Sequence, residues 1–402
     1  MLAVSRTLHI ADIRIHRPVS QSRLTPNPLY CYKQRPGIAE RPRRGAVAVE
    51  QYFHALIRGD RRGLGPALQR GGLRLIAAAY GLGVRFRNWG FDRGWKRSET
   101  AAVPVVSVGN LTLGGTGKTP CVEYVARFFR EQGRRVAILS RGYGAEQGCN
   151  DEALVLEENL PDVPHLQGPN RAALARGAVE ELGSEVLVLD DGFQHRRLRR
   201  DLDLVLLDAT CPWGYGHLFP RGLLREPPRS LRRADMILLT RCDQATPETL
   251  ARLRSEVQKW APQTPIAETT HQPAAWVNAN RQSAPLESLT GRPVAGFCGL
   301  GNPDAFRRTL AAQGLQVIAW RTFPDHHAYT REDIEELRQW SRALPADAFV
   351  ATTQKDLVKF RAGSIVRLAD RELWALQIRL GVYSGREELE RKLTNIQPRR
   401  GG

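Results

Sequence analysis

The segment VPVVSVGNLTLGGTGKTP (103–120) joins an apolar, β-branched run to a glycine-rich turn, and the turn ends in Gly-Lys-Thr where a helical pattern begins. Strand, glycine turn and helix in this order form a phosphate cradle. Glycines let backbone N–H groups approach an anion without a Cβ in the way, and the start of the helix adds a positive dipole. The candidate cradle is Gly114, Gly115, Thr116, Gly117, Lys118 and Thr119. Lys118 can reach the outer phosphates of a nucleotide, and the Thr119 hydroxyl can face Mg²⁺. The match to G-x-x-x-x-G-K-[ST] is incomplete, because Thr112 stands where the first glycine belongs. Leu113 replaces the lysine found in chromosome-partitioning ATPases.

Short, nearly all-apolar runs follow the loop: RVAILS (135–140), VLVLD (186–190), DLVLLD (203–208) and DMILLT (235–240). Such strands are apolar on both faces and suit a parallel sheet covered by helices. Helical spacing appears from Lys118 and over 171–182. The fold expected is therefore α/β, a P-loop NTPase-type parallel sheet with helices on both faces. A polar stretch with several prolines, 272–292, reads as a linker. A second strand–helix series follows it: strands at 293–297, 315–320, 348–353 and 373–378, and helices near 303–313, 330–343 and 384–395. This predicts a larger P-loop domain over 99–290 and a smaller C-terminal α/β domain over 291–402.

Two regions precede the first strand. Residues 1–60 are basic, lack a continuous apolar signal region and read as a disordered extension. Residues 61–98 carry an apolar run from Leu75 to Val84, interrupted and flanked by Arg70, Arg74, Arg85 and Arg87, with Tyr80, Phe86, Trp89 and Trp95 alongside. The run is too short to span a bilayer. A basic amphipathic segment with aromatic flanks suits a membrane interface, and an ordinary packing helix is the other reading.

The chain has 402 residues, with 59 Lys+Arg against 42 Asp+Glu and a net charge of +17. At 42% hydrophobic and 25% charged, it has the material for real cores. Six scattered cysteines without a CxxC pair argue against a disulfide scaffold or a structural zinc site, and for a reducing compartment. The charge is compatible with nucleic acid, an anionic membrane surface, a phosphorylated substrate or a merely solvated basic surface. The absence of an aromatic-plus-basic RNA motif or zinc module speaks against nucleic acid.

Acidic residues supply the rest of the candidate chemistry. Asp190 and Asp191 end an apolar strand, where open α/β sheets place ligands, and suit a metal site. Gln194 and His195 follow at once as candidates for phosphate or substrate contact. Asp151 and Glu152 follow the loop RGYGAEQGCN (141–150), and a carboxylate there could accept the proton of an attacking hydroxyl. RGLLREP (221–227) places Arg221 and Arg225 in a proline-stiffened loop suited to clamping phosphate. TRCD (240–243) is a degraded form of the base-reading motif of GTPases, with Arg241 in place of lysine.

Taken with DDGFQHRRLRRDLDLVLLDA (190–209), FPRGLLREP (219–227), GFCGLGNPDAF (296–306), FPDHHAYT (323–330) and TTQKDLVKF (352–360), the loop resembles the tetraacyldisaccharide 4′-kinase family over about residues 64–395. The resemblance implies transfer of the ATP γ-phosphate to a tetraacyldisaccharide 1-phosphate, a lipid A precursor. It implies phosphate-loop roles for Lys118 and Thr119 and metal-associated roles for Asp190 and Asp191. It also implies a catalytic acid at Asp151 with Glu152 beside it, and active-site arginines at Arg171 and Arg225. His326 is implied as a second-domain histidine paired with Asp151, with His327 as the runner-up. ATP and Mg²⁺ are the implied cofactors. The implied location is the cytoplasmic side of the bacterial inner membrane, with residues 64–89 lying on or shallowly in an anionic bilayer. A monomer without nucleic acid is expected. A regulatory or metallochaperone-type P-loop NTPase, hydrolysing nucleotide without a lipid, is the alternative.

Overall fold

The computed structural model describes residues 14–16, 52–142, 151–325 and 327–399. Among these, one sheet of 14 strands runs through the whole molecule. Its first half is parallel, in the order β4 (His165–Gln167), β3 (Val136–Ser140), β5 (Val186–Asp190), β2 (Val105–Asn110), β6 (Leu202–Asp208), β7 (Met236–Thr240) and β8 (Ile266–Asn278). A short β1 (Arg14–His16) pairs antiparallel with β4 at the edge. The second half is also parallel, in the order β14 (Arg371–Ser384), β12 (Phe349–Thr353), β10 (Pro293–Cys298) and β11 (Gln316–Thr322). The short strands β9 (Ser283–Ala284) and β13 (Arg367–Leu368) extend β8 and β14.

Alternation along the buried strands sorts side chains to two faces. Val106, Val108, Ile138, Val188, Leu204 and Leu238 pack with α3 (Lys118–Glu131) through Val122, Val125 and Phe129. Their neighbours Val105, Leu139, Leu187 and Leu189 pack with α5 (Arg171–Glu180) through Leu174 and Ala178. Val205, Leu207, Ile237 and Leu239 meet Leu250, Leu253 and Val257 of α6 (Pro247–Trp260). The second half is built alike. Phe306 and Leu310 of α7 (Pro303–Ala312) cover one face. Leu337 of α8 (Arg331–Arg342), with Leu357 and Phe360 of α9 (Gln354–Ala362), covers the other. The α/β fold with helices on both faces is as the sequence implied.

The expected boundary near residue 290 needs correction. Residues 272–278 are not linker but the second half of β8, and β8 and β14 pair antiparallel from Glu268↔Ser384 to Asn278↔Trp374. The prolines misled because Pro273 stands opposite Ile378 at the register shift between Gln377 and Ile378, an irregularity where a strand tolerates proline. The last helix, α10 (Arg386–Thr394), also crosses back: Leu389 and Leu393 lie in the core of the first half beside Phe129 and Val136.

Part of the expected N-terminal extension is likewise ordered. Residues 52–58 form a helix, α1, with Leu56 and Ile57 buried, and the Ile57 carbonyl accepts a 2.9 Å hydrogen bond from Arg221. Next comes α2 (Leu64–Asp92), a helix of 29 residues. It buries a narrow stripe of Ala77, Gly81, Val84 and Asn88, at helical spacing. A Cβ on Gly81 would stand 2.8 Å from Leu218, so a small residue sets how closely this helix approaches the body. No helix of the described residues is long and apolar enough to cross a membrane.

Candidate active site

The phosphate loop leaves the C-terminal end of β2, between β5 and β6, where the strand order reverses and open sheets form their crevice. Gly114 has φ of 101° and Gly117 φ of 83°, so both need glycine. A Cβ on Gly114 or Gly115 would meet nothing within 4 Å, which leaves an open cradle beside the backbone. The loop is held from below. Asn110 Nδ2 donates to the Thr116 hydroxyl at 2.8 Å, and the Thr240 hydroxyl donates to the Thr116 carbonyl at 2.9 Å. Arg241 pairs with Asp208 and donates to the Gly115 carbonyl at 2.6 Å. The degraded TRCD motif therefore braces the loop. The missing glycine and lysine also have a reason. Leu113 N–H donates to the Leu223 carbonyl at 2.7 Å and Thr112 bridges to Leu224, so these residues pair with the 218–225 loop instead of curling around phosphate.

Asp190 ends β5 and Asp191 begins the turn after it, beside this loop. Asp191 has φ of 53°, and the turn behind it is built on glycine: a Cβ on Gly192 would lie 2.3 Å from Ser107 Oγ. Arg200 fixes the same turn, donating to the Gly192 carbonyl at 2.7 Å and the Phe193 carbonyl at 3.0 Å. Asp191 accepts from Arg225 and lies 3.7 Å from Lys118 Nζ. Burial pushes its carboxyl up, but Lys118, Arg225 and Arg171 outweigh this and hold it below the ordinary carboxylate range. Asp190 is the opposite case. Burial, reinforced by Glu152 and Asp191 and opposed by Lys118, pushes it up to about 7.

The fit to Mg²⁺ rests on Asp190. Its Oδ1 is buried without a hydrogen-bond partner among the described residues, and its carboxyl feels the charge of Lys118, the first residue of α3. Among the described residues no cluster of three or more His, Cys, Asp or Glu side chains could hold a metal. That suits Mg²⁺, which keeps several waters and takes one or two carboxylates plus substrate phosphates.

Asp151 and Glu152, which follow the 141–150 segment in the sequence, open α4 (Asp151–Asn159). Asp151 is buried, and Lys359 Nζ stands 3.3 Å from it. Glu152 accepts from Lys355 at 2.6 Å. Burial raises the Glu152 carboxyl, but Lys355 and Lys118 together bring it below the ordinary value. Arg171 is the first residue of α5, buried, and lowered to about 10 by burial and Arg141, with Asp191 and Asp190 opposing. Gln194 bridges the loop and the clamp: its Nε2 donates to the Asn110 carbonyl at 3.0 Å and its Oε1 accepts from Arg225 at 3.4 Å. His195 is held near 4 by burial, with Arg171, Arg200, Arg197 and Arg141 adding to the shift, so it is neutral at physiological pH.

Lys118, Asp190, Asp191, Arg171, Arg225, Gln194, Asp151 and Glu152 thus gather around the C-terminal edge of the first half-sheet. His326 lies outside the described residues. His327, the runner-up, is committed elsewhere: Nε2 lies 2.9 Å from Asp333, which caps α8, and the ring stacks on Phe323. Sequence reading missed the brace of Thr240, Asp208 and Arg241, and His271, whose Nε2 lies 2.5 Å from where a Cβ on Gly117 would be. It also gave no role to Lys355 and Lys359 of the quoted TTQKDLVKF. Their spacing of four on one helix face was the available signal.

A glycine cradle at a parallel-sheet switch point, with a helix starting behind it, marks a P-loop nucleotide-binding protein. The profile of the family described as Tetraacyldisaccharide-1-P 4'-kinase matches residues 70–397. A tetraacyldisaccharide 4'-kinase of Anaeromyxobacter dehalogenans is 42% identical over 345 residues, covering 81% of this chain and 90% of that protein. One from Syntrophus aciditrophicus is 38% identical, covering 71% and 83%. The crystal structure of LpxK from Aquifex aeolicus in complex with ATP superposes with a TM-score of 0.64 at 30% identity, covering 82% of this chain and 99% of that one. The chain belongs to the tetraacyldisaccharide 4′-kinase family and is an enzyme, a kinase with a hydroxyl acceptor. The regulatory NTPase alternative is set aside.

Proposed function

We propose that this chain transfers the γ-phosphate of ATP to the 4′-hydroxyl of a tetraacyldisaccharide 1-phosphate, in line, at the crevice between the two halves. The observation that carries this reading is the convergence of two sets of groups. Lys118 and Arg225 form a cationic clamp around the Asp191 carboxylate on the phosphate loop's side, while Asp151 opens α4 next to Glu152, whose charge Lys118 reaches. Lys118 and Arg225 stabilise charge on the transferred group, and Asp151 accepts the proton of the attacking hydroxyl. Asp190 and Thr119 would hold Mg²⁺, which when bound supplies further neutralisation of phosphate charge. Arg171 adds positive potential above Asp190 and Asp191. Positioning and electrostatics supply most of the rate in such transfers. In this reading His326 completes the acid–base unit from the second half.

The same reading places the enzyme on the cytoplasmic face of the bacterial inner membrane. Leu75, Leu82 and Phe86 of α2 are 76%, 64% and 65% exposed, with Ile76 and Trp95 also outward. An apolar stripe of this kind, bordered by Arg70, Arg74 and Arg85, suits insertion among anionic headgroups. Tyr80 on this helix donates to the Arg225 carbonyl at 3.0 Å, so the membrane-facing helix is tied to the clamp. The test is a transfer assay in detergent micelles with Lys118→Ala and Asp151→Asn. Both variants should lose transfer while keeping native melting points; normal turnover in either would refute its assigned role.

A further inference from the structure

The second half of the molecule grips α4 through one face of α9. Lys355 and Lys359, one helical turn apart, reach the consecutive carboxylates of Glu152 and Asp151, at 2.6 and 3.3 Å. Farther along, Arg361 pairs with Glu158, and Gln354 Nε2 donates to Asn159 Oδ1 at 2.8 Å. Most of this ladder reads as lobe adhesion. Lys359 differs from the other rungs. Its ammonium also donates to the His327 carbonyl at 3.1 Å and lies 3.7 Å from Asp356 Oδ1. Asp356 is itself fixed, accepting from the Gly299 N–H at 3.0 Å and the Thr353 hydroxyl at 2.7 Å. One cation therefore connects the carboxylate that opens α4, the backbone of the DHH segment and a rigid anchor at the start of α9.

We propose that Lys359 is a positioning residue for phosphoryl transfer: it sets the distance between Asp151 and the DHH backbone when the halves are together, and it keeps Asp151 ionised. This rests on the reading that Asp151 accepts the hydroxyl proton. A flexible stem with three donors suits a junction of three oxygens, because each N–H finds its own acceptor. A carboxylate within ion-pair distance of an ammonium favours its charged form, so the base stays ready as the pH falls. Other charges face this junction too: Glu152 and Lys355 bear on Asp151 itself, Asp325 on the segment before the DHH histidines bears on Lys355, and Asp356 bears on Lys359. Lys359 alone among the described cations joins it to both the DHH backbone and Asp356.

The experiment compares Lys359→Met, Arg361→Met and Asp151→Asn in the full chain, with kcat followed against pH. Lys359→Met should lower kcat about tenfold or more and leave KM for ATP within about twofold, since the nucleotide loop is untouched. Its acid limb should move up by about 1 pH unit, because the carboxylate has lost a neighbouring cation. Arg361→Met removes another rung of the same ladder without bordering Asp151. It should lower the melting point yet leave the acid limb in place. Asp151→Asn should lack activity across the range. If Asp151→Asn is inactive but Lys359→Met keeps the wild-type acid limb, losing only thermal stability as Arg361→Met does, Lys359 is adhesive and the positioning role is wrong. If Asp151→Asn remains active, the base assignment fails and this role with it.

Discussion

Arg225 holds Asp191 through a single nitrogen: Nη1 donates to both carboxylate oxygens, at 2.7 and 2.9 Å. The same residue is fixed at its backbone, since its N–H donates to the Leu111 carbonyl at 2.9 Å and its carbonyl accepts from Tyr80. Its Nε is buried without a partner among the described residues. The guanidinium is thus oriented by strand-like pairing on one side and by α2 on the other, with donor capacity left for an anion.

Arg225→Ala should therefore lower kcat by about 100-fold or more, the loss expected when a preorganised donor to transition-state charge is removed. The melting point should change little, because the backbone contacts that tie the loop to Leu111 and Tyr80 remain. Steady-state kinetics beside a thermal melt checks this. A fall in melting temperature that accounts for the lost activity would argue for a purely structural clamp.

Glu226 should behave in the opposite way. It is 0% exposed and accepts from Arg87 at 2.9 Å, Asn88 at 2.7 Å and Arg233 at 3.0 Å. Burial raises its carboxyl, but Arg233, Arg87 and Asn88 more than compensate and hold it low. Glu226→Ala leaves these donors uncompensated and should destabilise the fold by about 3 kcal/mol or more. Denaturant unfolding measures it, and a loss under about 1 kcal/mol would show that water replaces the carboxylate easily.

Acid should weaken the braced loop through His271. Burial, with Arg241 adding, lowers this imidazole from 6.5 to about 4. The unfolded chain takes up the proton first, so the contribution is fully present above 6.5 and is lost as pH falls through about 4. The melting point should fall across this window, and His271→Gln should show a shallower fall. Parallel curves for the two proteins would contradict the assignment.

Replacing Leu75, Ile76, Leu82 and Phe86 together by Ser should reduce sedimentation with anionic vesicles by on the order of tenfold. All four are exposed, so stability should stay within about 0.5 kcal/mol per site. Unchanged vesicle binding would remove α2 from the membrane interface.

The sequence made the first half of the sheet legible because its strands are buried on both faces, and uninterrupted apolar runs such as VLVLD (186–190) are hard to mistake. It failed at β8, where a half-polar strand of 13 residues carries a proline at a register shift. It also missed α4, a helix of nine residues whose sequence DEALVLEEN (151–159) carries little amphipathic pattern. Lys118, Asp190 and Arg225 stood out as candidates in the sequence because phosphate chemistry leaves a compact local pattern. Lys359, Arg241 and His271 did not, since each meets partners distant in sequence that only the fold brings to it.

The central claim is phosphoryl transfer to one sugar hydroxyl. The most direct measurement is phosphorus NMR of the product formed from ATP and a tetraacyldisaccharide 1-phosphate in micelles, with ADP quantified in the same sample. The account predicts a new phosphomonoester on the 4′-oxygen, the 1-phosphate retained, and ADP formed in equal amount, all absent with Lys118→Ala. Release of inorganic phosphate with no new lipid phosphomonoester, or phosphate on a different hydroxyl, would contradict it.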